Sequence, residues 1–197
     1  LIDSPRRLDQ YQGLAQSLGT RMRVSLEIDV GLHRGGFTDP VSLVSALDTI
    51  AADPQHLSFS GFMGYEAHVA KMPWRDAALA SAIEHYKAFF NRAKSAHPQL
   101  FDQELTLNTA GSQTYQLYRD DSFFNDISAG SGLAMPTDFD IPTLAGHVPA
   151  AFIATPVLKT YDSVQVAGFE WASGLFAASN PNRQQGFYIY GGNWQAE

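Results

Sequence analysis

Residues 23–30 alternate strictly between apolar and polar side chains, which is the pattern of a β-strand with two different faces. The apolar face carries Val24, Leu26, Ile28 and Val30, and the polar face carries Arg23, Ser25, Glu27 and Asp29. A strand of an ordinary doubly wound sheet is covered on both faces and reads as a continuous apolar run. In a (β/α) barrel the inner face can become polar near the carboxyl end of a strand, where active sites lie. The strand therefore favours a barrel.

Helices and strands alternate over the first 130 residues, as in an α/β protein with a parallel sheet. Ser4-Pro5 and Asp39-Pro40 each predict a helix start, because a capping side chain precedes a proline at the first helical position. The other predicted elements are strands at 57–63, 104–107 and 126–129, a long helix at 74–93 and a short helix at 112–118. A complete barrel has eight strands and about 250 residues. The chain is therefore expected to hold part of a (β/α)8 barrel of the TIM type.

After Pro142 the sequence changes from alternating helices and strands to strand-like segments alone. Residues 149–158 are apolar and rich in strand formers, and residues 186–190 alternate aromatic side chains. We therefore expect a barrel portion over 1–142 and the beginning of a β domain over 143–197. Neither end of the sequence has the polar, flexible composition of a domain boundary, so we expect a chain truncated at both ends.

The composition excludes several classes of function. Thirteen Lys and Arg against twenty Asp and Glu give a net charge of −7, which argues against binding to nucleic acid or to an anionic membrane. The absence of Cys excludes disulfides, Cys-ligated zinc and a Cys nucleophile. Because the sequence has no signal-peptide pattern, a cytoplasmic location is expected.

Two strand-following segments, 27–36 and 61–68, carry charged or titratable side chains among glycines. Arg34 suits a fixed oxyanion or phenolate oxygen, because a guanidinium stays charged and donates in a planar fork. The alternative is a plain turn in which Arg34 pairs with Asp29. Tyr65 and His68 could face a bound ring, and His68 could transfer a proton because its pKa lies near neutrality. A partly buried structural histidine is the alternative there.

Two further segments, 108–114 and 127–132, combine small residues and hydroxyls directly after predicted strands. Backbone N–H groups in such turns can cradle an anion, and hydroxyls add further donors. The candidate ligands to a phosphate are Gly111, Ser112, Thr114, Gly130 and Ser131. Each segment alone could be an ordinary turn or capping box. Two cradles after successive strands favour the phosphate site that barrels form from their late loops.

A metal-dependent hydrolase is an alternative of a different class. Asp29, His33 and His68 could supply ligands to a metal ion, although the sequence has no His-x-His or His-Glu-x-x-His pair. The spacing Gly-x-Ser-x-Gly of a serine nucleophile is also absent, as is a Gly-x-Gly-x-x-Gly loop. No metal ligand is therefore assigned within the chain.

Five motifs occur in the order and spacing of one known family. They are EIDVGLHRGGF at 27–37, GFMGYEAHVAK at 61–71, NTAGSQTY at 108–115, SAGSGLAMPTDFD at 128–140 and GFYIYGGNW at 186–194. Together they resemble the fold-type III pyridoxal-phosphate enzymes, specifically the D-threonine aldolase and D-serine dehydratase branch of the alanine racemase N-terminal-like group. The resemblance covers nearly the whole chain.

The resemblance implies a role for each candidate residue. Arg34 would hydrogen-bond the phenolic oxygen of pyridoxal 5'-phosphate, Tyr65 would lie at the cofactor or its phosphate, and His68 would be a catalytic residue near the ring or substrate. The phosphate would be held by Gly111, Ser112, Thr114, Gly130 and Ser131. The implied activity is that of a central fragment of a lyase that acts on a D-amino acid by retro-aldol cleavage or β-elimination. An amino-acid racemase and a non-catalytic pyridoxal-phosphate-binding protein are the alternatives.

The sequence also departs from the family pattern. Ala110 stands where the family often has Gly, and Gly132 stands where it often has Tyr. The family's Schiff-base lysine would lie upstream of Leu1, and Lys71, Lys87, Lys94 and Lys159 match no such position. The metal ligands of this branch would lie beyond Glu197, so a divalent metal is expected only from that region. Family members are dimers or monomers depending on the branch, and a homodimer is compatible with this chain.

Overall fold

The computed structural model of the protein describes residues 1–152, 154–162, 167–179 and 184–190, which fall into two compact units. The first unit comprises Leu1–Leu133 and Ile141–Ala145. The second comprises Ala134–Asp140 and the chain from Gly146 onward. The strands and helices of the first unit carry the residues that the motifs single out.

The first unit alternates helices with strands, as predicted. Its helices are α1 (Pro5–Leu18), α2 (Pro40–Ala52) and α3 (Arg75–Ala96), and its strands are β1 (Met22–Ile28), β2 (Leu57–Gly64), β3 (Thr106–Thr109) and β4 (Asp126–Ile127). Short 3-10 turns follow β2 at Ala67–Lys71 and β3 at Tyr115–Tyr118. The predicted helix at 112–118 is thus only one short turn, because Thr114 and the residues before it belong to the loop after β3.

All four strands are parallel, and their order in the sheet is their order in the chain. A doubly wound sheet reverses its strand order at a switch point, whereas a barrel adds each strand beside the previous one. Ile2 extends the same arrangement by a parallel bridge to Leu26. The sheet therefore has the topology of part of a barrel, and the loops after β1 to β4 lie at one edge, here called the carboxyl edge.

Both predicted capping pairs begin helices. The Ser4 side chain accepts the N–H of Arg7 at the start of α1. Asp39 accepts the N–H groups of Val41 and Ser42 at the start of α2. These caps satisfy backbone donors that the first helical turn leaves without partners, which explains why each helix starts at its proline.

Strand β1 and helix α3 differ from the prediction in where the strand ends and in which face the helix buries. Strand β1 ends at Ile28 rather than at residue 30, because the Asp29 carboxylate accepts the N–H groups of Gly31 and His33 and so turns the chain. Helix α3 buries Ala82, Tyr86, Phe89 and Ala93. The spacing of its apolar residues predicts an inward stripe of Leu79, Ile83, Tyr86 and Phe90, of which Tyr86 is buried and the other three are half-buried.

The hydrophobic core lies between the sheet and the helices. It includes Val24, Leu26, Ile28, Leu47, Phe62, Tyr86 and Phe89. The opposite face of the sheet is polar: the hydroxyls of Ser25 and Ser60 are 2.9 Å apart, and Asn108 donates to Asp126 at 2.6 Å. The strands thus have the two different faces that the alternation at 23–30 predicts.

Strand β2 contains a register shift against β1. Val24 pairs with Phe59, but the next residue, Ser25, pairs with Gly61, so Ser60 is the extra residue of a β-bulge. Gly61 has φ +139°, and a Cβ atom there would overlap the carbonyl of Thr106 on β3. Only glycine allows β3 to approach this closely.

The second unit contains an antiparallel pair of strands, β5 (Val157–Tyr161) and β6 (Gly186–Ile189), and the short helix α4 (Ser173–Ser179). The strand predicted within 149–158 thus begins later than expected, and the strand predicted at 186–190 is present. Residues 191–194 of the fifth motif lie outside the described residues. Among the described residues, no helix is long and apolar enough to cross a membrane.

Candidate functional site

Three loops of the carboxyl edge are joined by contacts of Tyr65. The guanidinium of Arg34, from the loop after β1, lies 4.7 Å from the centroid of the Tyr65 ring. On another side the ring packs so tightly on Gly111, from the loop after β3, that a Cβ atom at residue 111 would overlap it. The structure therefore brings together three of the predicted cofactor-binding residues. Arg34 and Tyr65 are 31 positions apart in the sequence, and Tyr65 and Gly111 are 46 positions apart.

Arg34 is half-exposed and pairs with Glu27 rather than with Asp29. Its Nη2 atom lies 3.9 Å from Oε1 of Glu27. Asp29 instead hydrogen-bonds Nδ1 of His33 at 2.9 Å, so the alternative in which Arg34 pairs with Asp29 is wrong. Burial raises the pKa of the Glu27 carboxyl, and the charge of Arg34 partly opposes that rise. The guanidinium is thus held at the carboxyl edge of the sheet, and it has more N–H donors than its contact with Glu27 uses.

Ser112 connects the two predicted anion cradles. Its Oγ accepts hydrogen bonds from the N–H groups of Gly130 and Gly132, both at 2.9 Å. A Cβ atom at residue 132 would lie only 2.9 Å from the Cβ of Ser112, so a tyrosine there would not fit this arrangement. Ser131 lies between the two glycines on an exposed turn. Two backbone N–H groups therefore converge on the Ser112 oxygen, which joins the loop after β3 to the loop after β4.

Thr114 is fully buried and does not present its hydroxyl to solvent. Its Oγ1 donates to Oε1 of Glu66 at 2.6 Å and accepts the N–H of Gly111 at 3.1 Å. A hydroxyl has a single proton, so Thr114 donates nothing further in this arrangement. Thr114 lies beside the predicted phosphate site and shapes its loop.

Glu66 is a residue of this site that the sequence does not reveal. It is fully buried directly after Tyr65, and its carboxylate accepts hydrogen bonds from the hydroxyls of Thr114 and Thr109. The hydroxyl of Tyr118 and the N–H of Ala110 also hydrogen-bond it. Burial raises the pKa of Glu66, and these hydrogen bonds oppose the rise. Its partners are 43 and 48 positions away in the chain, so no local pattern could have indicated them.

Ala110 adopts the left-handed conformation, with φ +60°, and is fully buried. A residue with a Cβ atom in this region costs about 1–2 kcal/mol relative to a right-handed conformation. The family often has Gly here, which would avoid that cost. The backbone of Ala110 also lies close enough to Glu66 to lower the pKa of its carboxyl.

His68 lies at the part of the carboxyl edge that the loop after β1 forms. A Cβ atom on Gly31 would be 3.3 Å from its Nε2, so the imidazole packs directly on the loop after β1. Its Nδ1 is buried and has no hydrogen-bond partner among the described residues. Burial lowers the pKa of His68, His33 lowers it further, and Asp29 opposes them. The imidazole is therefore neutral near pH 7 and can accept a proton.

The described residues contain no group of three or more His, Cys, Asp or Glu side chains that could hold a metal ion. Asp29 and His33 are hydrogen-bonded to each other in the loop after β1. The metal-dependent hydrolase considered from Asp29, His33 and His68 therefore gains no support from this part of the chain.

Comparison with known proteins identifies the family of the chain. Residues 1–138 match the family described as "Alanine racemase, N-terminal domain". The chain is 25% identical over 143 residues to 3-hydroxy-D-aspartate aldolase of Paracoccus denitrificans (strain Pd 1222), a match that covers 70% of this chain and 35% of that protein.

Two solved structures show the same fold. D-threonine aldolase from Filomicrobium marinum matches with a TM-score of 0.56 and 22% identity, over 76% of this chain and 38% of that one. Alanine racemase from Streptomyces coelicolor A3(2) matches with a TM-score of 0.61 and 20% identity, over 82% and 42%. The prediction of part of an alanine racemase-like barrel is thus confirmed.

The chain spans less than half the length of each of these relatives. The family match nevertheless covers all of β1 to β4 and the four loops of the carboxyl edge. The resemblance that the motifs carry is confirmed: the chain belongs to the alanine racemase N-terminal domain family, and with it to the fold-type III pyridoxal-phosphate enzymes.

Proposed function

We propose that this protein is a pyridoxal-phosphate-dependent lyase that acts on a D-amino acid with a hydroxyl group on its β-carbon. The observation that carries the proposal is the contact series from Arg34 through the Tyr65 ring to Gly111. It is joined by the two N–H groups that converge on Ser112. These features support a site that combines a cation, an aromatic ring and two polar loops at one edge of the sheet.

The residues present fit the cofactor. Gly111 and Gly132 each lie where a Cβ atom would collide with a neighbouring side chain, so the two loops are shaped for close approach. Ser112 and Ser131 would hold the phosphate through their hydroxyl groups, and Gly111, Gly130 and Thr114 would shape the loops around it. Arg34 would donate to the phenolic oxygen, and Tyr65 would lie at the cofactor between these two regions. When bound, pyridoxal phosphate supplies an electron sink for negative charge at the α-carbon of an amino acid.

His68 is proposed as the catalytic residue that takes up a proton. Retro-aldol cleavage begins when a base removes the proton of the β-hydroxyl group. Because its pKa is lowered by burial, the imidazole is neutral and available as a base at neutral pH. Its position against Gly31 fixes the ring at the carboxyl edge.

The relatives support the choice of a lyase as the activity and of a β-hydroxylated D-amino acid as the substrate. The curated relative is named 3-hydroxy-D-aspartate aldolase, and one of the structures is a D-threonine aldolase. At 25% identity or below, these names support the proposal without fixing the reaction branch. The racemase is a relative in fold, and its reaction requires no β-hydroxyl group.

Absorption spectroscopy of the full-length protein with added pyridoxal phosphate tests the cofactor. We expect a visible band that borohydride removes while fixing the cofactor to one lysine. The loaded protein is then offered D-threonine, D-serine and D-alanine, and we expect glycine and acetaldehyde from D-threonine or pyruvate from D-serine. Formation of L-alanine alone would replace the lyase by a racemase. A bound cofactor without turnover of any of the three would indicate a binding protein, and no binding would refute the proposal.

A further inference from the structure

The buried carboxylate of Glu66 is directed entirely at the loop after β3. Its two oxygens face the hydroxyls of Thr114 and Thr109, at 2.6 and 3.5 Å. The Tyr118 hydroxyl and the Ala110 N–H also hydrogen-bond it. Among the described residues it forms no ion pair, so all the partners described for it are neutral donors of one loop and the turn after it. A fully buried carboxylate that is held only by such donors also fixes the positions of those donors.

These hydrogen bonds extend to the backbone that would face a phosphate. Because Thr114 gives its proton to Glu66, its oxygen is left as the acceptor for the N–H of Gly111. The backbone of Ala110, which forms the left-handed turn directly before Gly111, lies close enough to Glu66 to lower the pKa of its carboxyl. Glu66 therefore constrains both residues that precede Ser112, whose hydroxyl joins the two cradles.

We propose that Glu66 is a positioning residue, which holds the loop of residues 109–114 in the shape that receives the phosphate of the cofactor. This inference rests on the proposed function, because it assumes that pyridoxal phosphate binds at the carboxyl edge. Glu66 itself lies beneath the loop and acts through Thr114 and Ala110.

The substitution Glu66→Gln tests this role with little change of size. An amide replaces one acceptor oxygen by an NH2 donor, which would face hydroxyl and N–H donors. The loop of residues 109–114 should then lose its shape, and the backbone strain at Ala110 should determine how far the loop rearranges. The second substitution, Ala110→Gly, removes that strain because glycine adopts φ +60° without a Cβ penalty.

Equilibrium binding to the full-length protein is measured for pyridoxal phosphate and for pyridoxal, which lacks the phosphate. We expect Glu66→Gln to weaken pyridoxal phosphate binding about tenfold, the effect of losing a hydrogen bond to a charged group. Pyridoxal binding should change by less than about twofold, because both compounds share every group except the phosphate. The double variant with Ala110→Gly should recover most of the lost affinity. A general loss of folding would weaken both ligands equally.

The outcomes separate this inference from the proposed function. If the unchanged protein binds both compounds equally or not at all, the phosphate site of the proposed function is wrong. If it prefers pyridoxal phosphate and Glu66→Gln keeps the same preference, the role of Glu66 is wrong. Should circular dichroism show that Glu66→Gln is unfolded, Tyr118→Phe removes one hydrogen bond to Glu66 with little change of volume. A loss of about threefold confined to pyridoxal phosphate is expected from it, and an unchanged preference would overturn the proposal.

Discussion

Arg34 and Tyr65 form a cation–π pair, with the guanidinium carbon 4.7 Å from the ring centroid. The pair connects the loops after β1 and β2, and it covers a tyrosine that is only half-buried. An exposed pair of this kind contributes about 0.5–1 kcal/mol. Its larger effect is on geometry, because the same ring is packed on Gly111.

Replacing Arg34 separates its charge from its planar shape. Arg34→Met keeps an apolar stem over Tyr65 but removes the charge, and we expect pyridoxal phosphate to bind at least about tenfold more weakly, since a charge-assisted hydrogen bond is lost. Arg34→Lys keeps the charge without the planar fork of donors. Its affinity for pyridoxal phosphate should lie between those of the unchanged protein and of Arg34→Met. Spectroscopic titration with the cofactor measures both. Equal affinity of all three proteins would contradict a role for Arg34 at the cofactor.

Adding one methyl group at Gly111 should disturb the site through Tyr65. A Cβ atom at residue 111 overlaps the Tyr65 ring, so Gly111→Ala must displace either the ring or the loop after β3. We expect a free energy of unfolding lower by about 1–3 kcal/mol, the usual cost of overpacking, together with weaker cofactor binding. Chemical denaturation and cofactor titration measure the two effects.

Gly130 provides the matched control for that substitution. A Cβ atom at residue 130 would have no neighbour within 4 Å, and its backbone is not in the left-handed region. Gly130→Ala should therefore unfold within about 0.5 kcal/mol of the unchanged protein, like most exposed substitutions. A loss as large as that of Gly111→Ala would show that the described contacts do not explain the effect.

His68 predicts a specific dependence of activity on pH. A base must be neutral to accept a proton, so activity should fall as the pH drops through the lowered pKa of His68. Replacing His33 by Asn removes the imidazole that lowers the pKa of His68. It also leaves Asp29, which raises that pKa. The pKa of His68 should rise, and the acid limb of kcat/KM against pH should move to higher pH.

The distant His97 provides the comparison for this profile. It pairs with Asp48 by a hydrogen bond of 2.8 Å, away from the carboxyl edge. His97→Asn should leave the acid limb unchanged. If His33→Asn also leaves it unchanged, His68 is not the group whose titration limits the reaction.

Asp53 predicts a separate effect of pH on stability. It ends α2, and its carboxylate accepts from Gln12 and Gln16 of α1 and hydrogen-bonds His56. These contacts lower the pKa of Asp53 from 3.8 to about 2. A depressed pKa stabilises the folded state above pH 3.8, and this stabilisation is lost as the pH falls toward 2. Thermal unfolding should show Asp53→Asn less stable than the unchanged protein at pH 7, with the difference shrinking between pH 4 and pH 2.

Local sequence patterns predicted the elements that local interactions determine. The starts of α1 and α2 were predictable because Ser4 and Asp39 cap helices through donors three residues away or less. The parallel, barrel-like sheet was predictable from the two-faced strand at 23–30. The end of β1 was not, because it depends on Asp29 folding back onto Gly31 and His33.

The candidate site was predictable to a different degree. Arg34, Tyr65 and Gly111 were found from their motifs, and the structure brings them into contact. The carboxylate of Glu66 was missed, because a glutamate between an aromatic residue and an alanine carries no signal of burial. Only the folded chain shows that its partners come from the loop after the next strand.

The bulge at Ser60 determines which face of the sheet each later residue of β2 faces. Side chains of a strand alternate between faces, so one extra residue exchanges the faces of all later positions. Phe59 and Phe62 can both face the helices, with their rings 5.0 Å apart, only because Ser60 intervenes. Deleting Ser60 would therefore restore the regular pairing of β2 with β1 and leave every later residue on its present face, at the loss of the Ser25–Ser60 hydroxyl contact.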